Sequence, residues 1–255
     1  MERPTEFVQS LERGLSVIKA FTADSPSLTL SEVARSTGMT RATARRFLIT
    51  LESLGYVASD GRQFQLCPKT LELGYAYLSS FSVSDVALNH LEQLADELHE
   101  SCSASVLDGT DIVYVARAST NRLMTIGLSV GARLPAYCTS MGRVLLASLT
   151  PAELARYFEN ATLAARTDRT VHDEASLRRI LDTVRSQGWC LQDQELEDGV
   201  RSMAAPIHGT DGRVVAAINI SAHAARASIE ELKDNFLPRL LACATLIDAD
   251  LRTRR

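Results

Sequence analysis

An α+β fold in two unequal parts is what this sequence predicts, and three observations carry the prediction. Between Thr40 and Leu54 the apolar residues Ala44, Phe47, Leu48, Leu51 and Leu54 recur at helical spacing, with Arg41, Thr43, Arg45 and Arg46 on the opposite face. A glycine turn, Gly38-Met39, ties that helix to a shorter one before it, and a hairpin pattern follows it. From Ser84 the pattern changes to helix, alternating strands, helices, alternating strands and a last helix, the order of an antiparallel sheet with segregated helices. The expected layout is a winged helix-turn-helix over residues 1–67, a linker and dimerisation helix over 68–83, and a sensor-like α+β domain over 84–255.

Taken in order, residues 5–21 form a first helix through Val8, Leu11, Leu15, Ile18 and Phe21 (or Val17), needed because two helices and a hairpin alone bury too little. Residues 23–27 are a loop. Leu30–Thr37 is a helix capped by Thr29 or Ser31, with Val33 and Ala34 inward. The longer helix starts near Thr40 and is closed by Gly55. Tyr56–Ala58, the turn Ser59-Asp60-Gly61, and Phe64 with Leu66 make the hairpin. Pro68 marks a boundary. Lys69–Phe81 is a linker helix with Leu71, Tyr75, Leu78 and Phe81 on one side, too apolar to stand without a partner subunit. Helix is expected over Asp85–Glu100, then strands at Ala104–Leu107, Ile112–Ala116 and Leu123–Leu128. A helix at Ser140–Ser148 is capped by Thr139, and a short one opens at Pro151. Asp173–Gln187 is amphipathic and ends at Gly188. Strands follow at Trp189–Gln192, Arg201–Ile207 and Val214–Ser221, and a helix spans about Ser228–Leu251.

The polar face of the longer helix suits double-stranded DNA. Arg donates as a rigid fork to phosphate or guanine, and Thr meets a phosphate or a thymine methyl. Thr40, Arg41, Thr43, Arg45 and Arg46 are the candidate contacts, with Arg62 at the hairpin tip reaching adjacent backbone. The net charge of −4 divides informatively: residues 1–66 hold 8 Lys and Arg against 7 Asp and Glu, and residues 67–255 hold 19 against 24. A mildly acidic body discourages non-specific coating of DNA and leaves binding to a small footprint. No apolar run approaches a membrane span, and the polar start MERPTEFVQS is no secretory signal. Five scattered cysteines without a C-x-x-C pair fit reduced thiols, so a cytoplasmic protein is expected.

Two blocks in the second domain extend the argument. One is Gly131-Ala132-Arg133-Leu134-Pro135-Ala136-Tyr137-Cys138-Thr139-Ser140-Met141-Gly142-Arg143; the other runs from Asp193-Gln194-Glu195 through Gly199-Val200-Arg201-Ser202-Met203 to Ile207. With Ser10–Leu15 and the helix-turn-helix, they make the chain resemble IclR-type bacterial transcriptional regulators over nearly its whole length. The wording of the blocks is most similar to regulators of protocatechuate and 4-hydroxybenzoate breakdown. The resemblance implies a GAF-like effector-binding domain, a homodimer or a tetramer built as a dimer of dimers, and a small aromatic carboxylate as effector, with a non-aromatic acid such as a 2-oxo acid as the alternative.

The residues support a pocket there. The head of the Ser140 helix presents free amides and the positive end of a dipole to a carboxylate, and Gly142 lets a ligand approach. Asn219 and Ser221 share one face of their strand, with Ser202 and Met203 on the neighbouring strand. Met124, Leu128, Tyr137 and Met203 are candidate walls, Thr139, Ser140, Met141 and Gly142 the anion end, and Asp193 a further candidate. Glu197 and Asp198 read as a solvated turn. Gly127-Leu128-Ser129-Val130-Gly131 matches G-x-S-x-G, which raises a serine hydrolase using Ser129, but no helix follows as a nucleophile elbow requires. Neither the five histidines nor the five cysteines have metal spacing. The expectation is therefore a regulator that is not an enzyme and carries no metal and no cofactor.

Overall fold

The computed structural model describes residues 4–80, 82–119 and 128–253. The chain divides into two compact units, residues 1–80 and 81–255.

In the first unit, α1 (Gln9–Lys19), α2 (Leu30–Thr37) and α3 (Arg41–Ser53) pack with a three-stranded sheet of β1 (Ser27–Thr29), β2 (Val57–Ser59) and β3 (Gln63–Leu66), in the order β1-β3-β2. Thr29 caps α2 through a capping box with Glu32, and Gly38 ends it in the left-handed conformation. Thr40 caps α3 by accepting from the Thr43 amide. Val17, Phe21, Val33, Ala44, Leu48 and Leu51 form the core. The expected α1 stripe holds in part: Val17 and Phe21 are buried and Ile18 packs against the core, while Val8, Leu11 and Leu15 are exposed, Leu11 to 63%. Only the C-terminal half of α1 meets the core, so the periodic residues of the first half lie on open surface. Leu54 is also exposed. A 3-10 turn at Pro68–Leu71 leads into α4 (Glu72–Ser80), and Leu71, Leu73 and Tyr75 are exposed in the single chain.

The second unit holds a six-stranded antiparallel sheet. Its strands are β4 (Ser101–Asp108), β5 (Asp111–Ala118), β6 (Arg133–Pro135), β7 (Cys190–Asp193), β8 (Val200–His208) and β9 (Val214–His223), in the order β6-β5-β4-β9-β8-β7. The expected strand at Leu123–Leu128 falls almost wholly outside the described residues, and β6 lies where a loop is expected. Its pairing with β5 is fixed by Asp111↔Pro135 and Val113↔Arg133, and the Arg133 guanidinium donates to both Asp108 and Asp111.

Helices cover both faces. α5 (Ser82–Leu98) and α10 (Leu237–Thr253) bury Val86, Leu91, Leu240 and Ile247 against Cys102, Ala104, Met203, Ile218 and Ile220. The other face carries α6 (Ser140–Ala147), α7 (Pro151–Asn160) and α8 (Glu174–Gln187), which bury Met141, Leu145, Leu154, Leu177 and Leu181 with Tyr114, Ala204 and Ala217. The expected final helix is interrupted. α9 (Ile229–Glu231) passes through a π turn at Leu232–Phe236 into α10, because Pro238 has no amide to donate to Asp234 and its ring crowds that carbonyl. Among the described residues no helix is long and apolar enough to cross a membrane.

Candidate functional site

The first unit presents an open cationic surface. Thr40, Arg41, Arg45, Arg46 and Arg62 are exposed and Thr43 half-buried, and none of these arginines makes a salt bridge among the described residues. Burial of Ala44, Leu48 and Leu51 turns the arginine side of α3 outward. The two threonines do structural work first: the Thr40 hydroxyl donates to Thr43 Oγ1 at 2.9 Å while accepting from the Thr43 amide at 3.2 Å. Asp60 accepts from the Arg62 and Gln63 amides, which holds its carboxyl below the usual range and fixes the hairpin tip that carries Arg62. An exposed helix of unpaired arginines beside a hairpin wing has the chemistry that contacts to a DNA backbone and major groove require.

The second unit offers the opposite kind of site: polar groups buried under α6. Side chains alternate along a strand. Ala204 and Ala217 belong to the α6 side of the sheet, so Ser202, Asn219 and Ser221 share it. The Ser202 hydroxyl donates to Ser140 Oγ at the head of α6 (2.9 Å), and Asn219 Nδ2 donates to Ser221 Oγ (2.9 Å). Ser105 on β4 donates to Met141 Sδ. Register adds Ser103, opposite Asn219, and Gln192, opposite Ser202. Gln192 is 1% exposed and Asn219 4%. Their Gln192 Nε2 and Asn219 Oδ1 atoms are buried without a hydrogen-bond partner. A further cation stands near: Arg117 on β5 lies opposite Ser103, and no carboxylate among the described residues pairs with it.

Thr139 caps α6 by accepting from the Gly142 amide, which leaves the Ser140 and Met141 amides without helix partners. Four expected placements change. Met203 alternates with Ser202 and lies on the α5/α10 side, so it cannot wall a ligand beside Ser202. Asp193 alternates with Gln192 in the same way; it accepts from Arg201 and Arg169, each at 2.6 Å. Burial alone would raise its carboxyl pKa, but Arg201, Gln194 and Arg169 outweigh that and hold it low. Gly142 is not an opening for ligand: a Cβ there would lie 2.2 Å from the Ala136 carbonyl oxygen, so the glycine lets α6 pack on the turn before it. Tyr137 is buried beside that turn, its hydroxyl donating to the Ala164 carbonyl. Met124 lies outside the described residues. Leu128 packs partly buried against the α6-side core.

Beneath the head of α6 lies an ion pair that sequence reading missed. Arg143, 2% exposed, donates to both oxygens of Glu195 at 2.5 and 2.6 Å and to the Tyr137 carbonyl. Burial alone would lower the guanidinium pKa; the Glu195 hydrogen bonds outweigh it, and the net direction is up. Glu195 also accepts from the Val171 amide. The pair ties α6 to the β7–β8 connection.

Ser129 is exposed and followed by a turn and β6, so it does not occupy a strand-to-helix elbow. Burial pushes the Cys138 thiol up to about 11 and Cys190 up to about 12, which keeps both protonated and unreactive. The described residues hold no cluster of three or more His, Cys, Asp or Glu able to bind a metal.

An open arginine helix in one unit and a closed polar face in the other define a ligand-responsive DNA-binding regulator. The comparisons place it: residues 10–61 match the IclR helix-turn-helix domain and residues 75–249 the bacterial transcriptional regulator IclR C-terminal domain, and the chain belongs to the IclR family. It is 49% identical to the Pca regulon regulatory protein of Pseudomonas putida, over 94% of this chain and 82% of that protein. A transcriptional regulator of Rhodococcus sp. RHA1 has the same fold at 54% identity, with a TM-score of 0.87 over 98% of this chain and all of that one. The inducer-binding domain of a double mutant of the Acinetobacter PobR transcription factor, in complex with 3-hydroxybenzoic acid, is similar at 34% identity. Its TM-score is 0.61, over 66% of this chain and 97% of that domain.

Proposed function

We propose that this chain controls genes of aromatic-acid breakdown, binding operator DNA through α3 and responding to a small hydroxylated aromatic acid under α6. The observation that carries the reading is the buried polar face formed by Gln192, Ser202, Asn219 and Ser221 beside the head of α6, where two polar atoms lack partners. A ligand that supplies those partners stabilises the state that binds it and shifts the population of operator-competent assemblies. The identity with a Pca regulon regulator and the hydroxybenzoate held by the PobR domain support an aromatic acid. Arg41, Arg45 and Arg46 are the primary DNA contacts, with Thr40, Thr43 and Arg62 beside them. Exposed Leu71, Leu73 and Tyr75 support self-association through the linker, and paired operator half-sites need at least a dimer. With no membrane-crossing helix among the described residues and five free thiols, four of them buried, a cytoplasmic site of action fits.

The test is fluorescence anisotropy of labelled DNA from upstream of the gene, titrated with the full chain in the absence and presence of protocatechuate or 4-hydroxybenzoate. A specific complex whose affinity changes at least about 5-fold with one of these acids is expected, the lower end of ordinary allosteric coupling. Specific binding that ignores both acids would remove the aromatic reading and keep the DNA-binding one.

A further inference from the structure

The two unpartnered atoms differ in kind, and the difference orients the ligand. Gln192 Nε2 is a donor and Asn219 Oδ1 an acceptor, both buried, both on the α6 side of the sheet. A buried polar atom without a partner is costly, so such a pair in one place marks groups that a ligand completes. Gln192 sits at the end where the anion-attracting features gather. Its Oε1 is 3.4 Å from Ser202 Oγ, which donates to Ser140 Oγ at the head of α6. The partnerless amides of Ser140 and Met141 stand there as well. Asn219 is two strands away, across β8 to β9, about 10 Å at ordinary strand spacing. Its Nδ2 is committed to Ser221, and Ser103 is its neighbour on β4.

We propose that Gln192 is the carboxylate reader and Asn219 the hydroxyl reader of one ligand, an aromatic acid whose ring carries a hydroxyl away from its carboxylate. This rests on the pocket reading above and adds direction and specificity. The carboxylate accepts from Gln192 Nε2 and the α6 amides, and the ring hydroxyl donates to Asn219 Oδ1. The residues between them, Ser202, Ser221 and Ala204 opposite Asn219, are all small and leave the sheet surface flat under the ring. Benzoate leaves Asn219 Oδ1 unpaired, and a benzyl alcohol brings no charge to the α6 end. Arg117, two strands from Asn219 on the far side of Ser103, is the competing anchor that a reversed ligand would use.

Calorimetric titration of the full chain with 4-hydroxybenzoate, benzoate and 4-hydroxybenzyl alcohol decides the matter. The unmodified chain is expected to bind 4-hydroxybenzoate about 100-fold tighter than benzoate, the penalty for an unpaired buried acceptor. Asn219→Leu should bring the two acids to within about 3-fold of each other. Gln192→Met should weaken both acids about 10-fold and leave the alcohol as it was, the loss of one charge-assisted hydrogen bond. Should Gln192→Met fail to fold by circular dichroism, Gln192→Glu keeps the shape and should reject both acids while holding the alcohol. Should Asn219→Leu fail, benzoate against 4-aminobenzoate in the unmodified chain replaces it, since the amine restores a donor and should restore affinity. Discrimination that persists in these variants overturns the assignment. So does a loss of acid preference in Arg117→Gln that Gln192→Met does not share, because it places the carboxylate at the β5 end. An unmodified chain that binds none of the three ligands overturns the pocket reading itself.

Discussion

The two units handle charge in opposite ways. On α3 the arginines are solvated and unpaired, so each is available to a partner and none contributes to folding. In the second unit Arg143 is answered by Glu195, and Asp193 by Arg201 and Arg169, while Arg117 on β5 has no carboxylate partner among the described residues. The buried side-chain atoms left without partners among the described residues are neutral: two amide atoms and the Tyr157 hydroxyl. An exposed site can leave charges free because water holds them meanwhile. A buried site cannot, since an uncompensated buried charge costs far more than an unpaired amide. The DNA surface and the effector surface should therefore fail differently under mutation.

The sharpest break in that contrast is expected at the buried pair. Arg143→Ala leaves the Glu195 carboxylate uncompensated, and removing one member of such a pair costs about 3–5 kcal/mol. Urea denaturation should show a lower midpoint with this loss. Replacing both residues together, Arg143→Met with Glu195→Gln, should recover much of it, since no charge is stranded. A single variant with the parent's midpoint would mean that water reaches Glu195, and that the pair does not hold α6 down.

Gly142→Ala comes next. The added Cβ meets the Ala136 carbonyl at 2.2 Å, and neither the turn nor α6 can retreat without disturbing the caps at Thr139. Overpacking of this kind costs about 1–3 kcal/mol. The same assay reads it, and ligand affinity should fall with it because the head of α6 moves. A variant as stable as the parent would show that the turn yields.

On the open surface the pattern inverts. Arg45→Ala and Arg46→Ala should change stability by less than about 0.5 kcal/mol, as surface substitutions do. An arginine that reads a base should cost ~1–3 kcal/mol of specific operator binding, and one on a phosphate should instead flatten the salt dependence. Anisotropy at two salt concentrations tells these apart. If both variants bind as tightly as the parent at both, the recognition face lies elsewhere.

What was legible in the sequence follows the same division. Most of the helix-turn-helix was legible, because α2 and α3 declare themselves by local signals: a cap at Thr29 or Ser31, of which the fold uses Thr29, the glycine turn at Gly38, and a stripe at Ala44, Leu48 and Leu51; β1 and the exposure of Leu54 were not. α1 was read as a helix, and Ile18, Phe21 and its alternative Val17 reach the core, but Val8, Leu11 and Leu15 do not, since periodicity shows a stripe and not which part of it a neighbour covers. In the second unit the hairpin turns and α6 were legible, whereas the sides of the strands were not. Ser202 and Met203 are adjacent, so only one could face α6, and which one depends on the register of β8 against β9. Asp193 and Gln192 pose the same choice one strand further out. Gln192 had a signal of its own, a polar residue directly after the apolar run Trp189-Cys190-Leu191. Ser103 and Ser105 had another, the alternation Ser101-Cys102-Ser103-Ala104-Ser105-Val106. Glu195 lay inside an acidic run that looks solvated, and its partner Arg143 is 52 residues away, beyond any local pattern.

The smallest effect probes a residue that belongs to both regimes. Thr40 caps α3 and is also a proposed DNA contact. Thr40→Ala removes the acceptor of the Thr43 amide, and loss of a threonine cap costs about 1 kcal/mol. Its effect on operator binding is ambiguous by itself, because a frayed α3 binds less well whether or not Thr40 touches DNA. Thr40→Asp resolves this. An aspartate accepts from the Thr43 amide and favours the helix dipole, so stability should match or slightly exceed the parent. Its negative charge would meet phosphate, so operator affinity should fall further than in Thr40→Ala. Thermal melts and anisotropy on both variants give the two axes. If Thr40→Asp is stable and binds the operator like the parent, Thr40 is a cap alone, and the DNA contact begins one residue later, at Arg41.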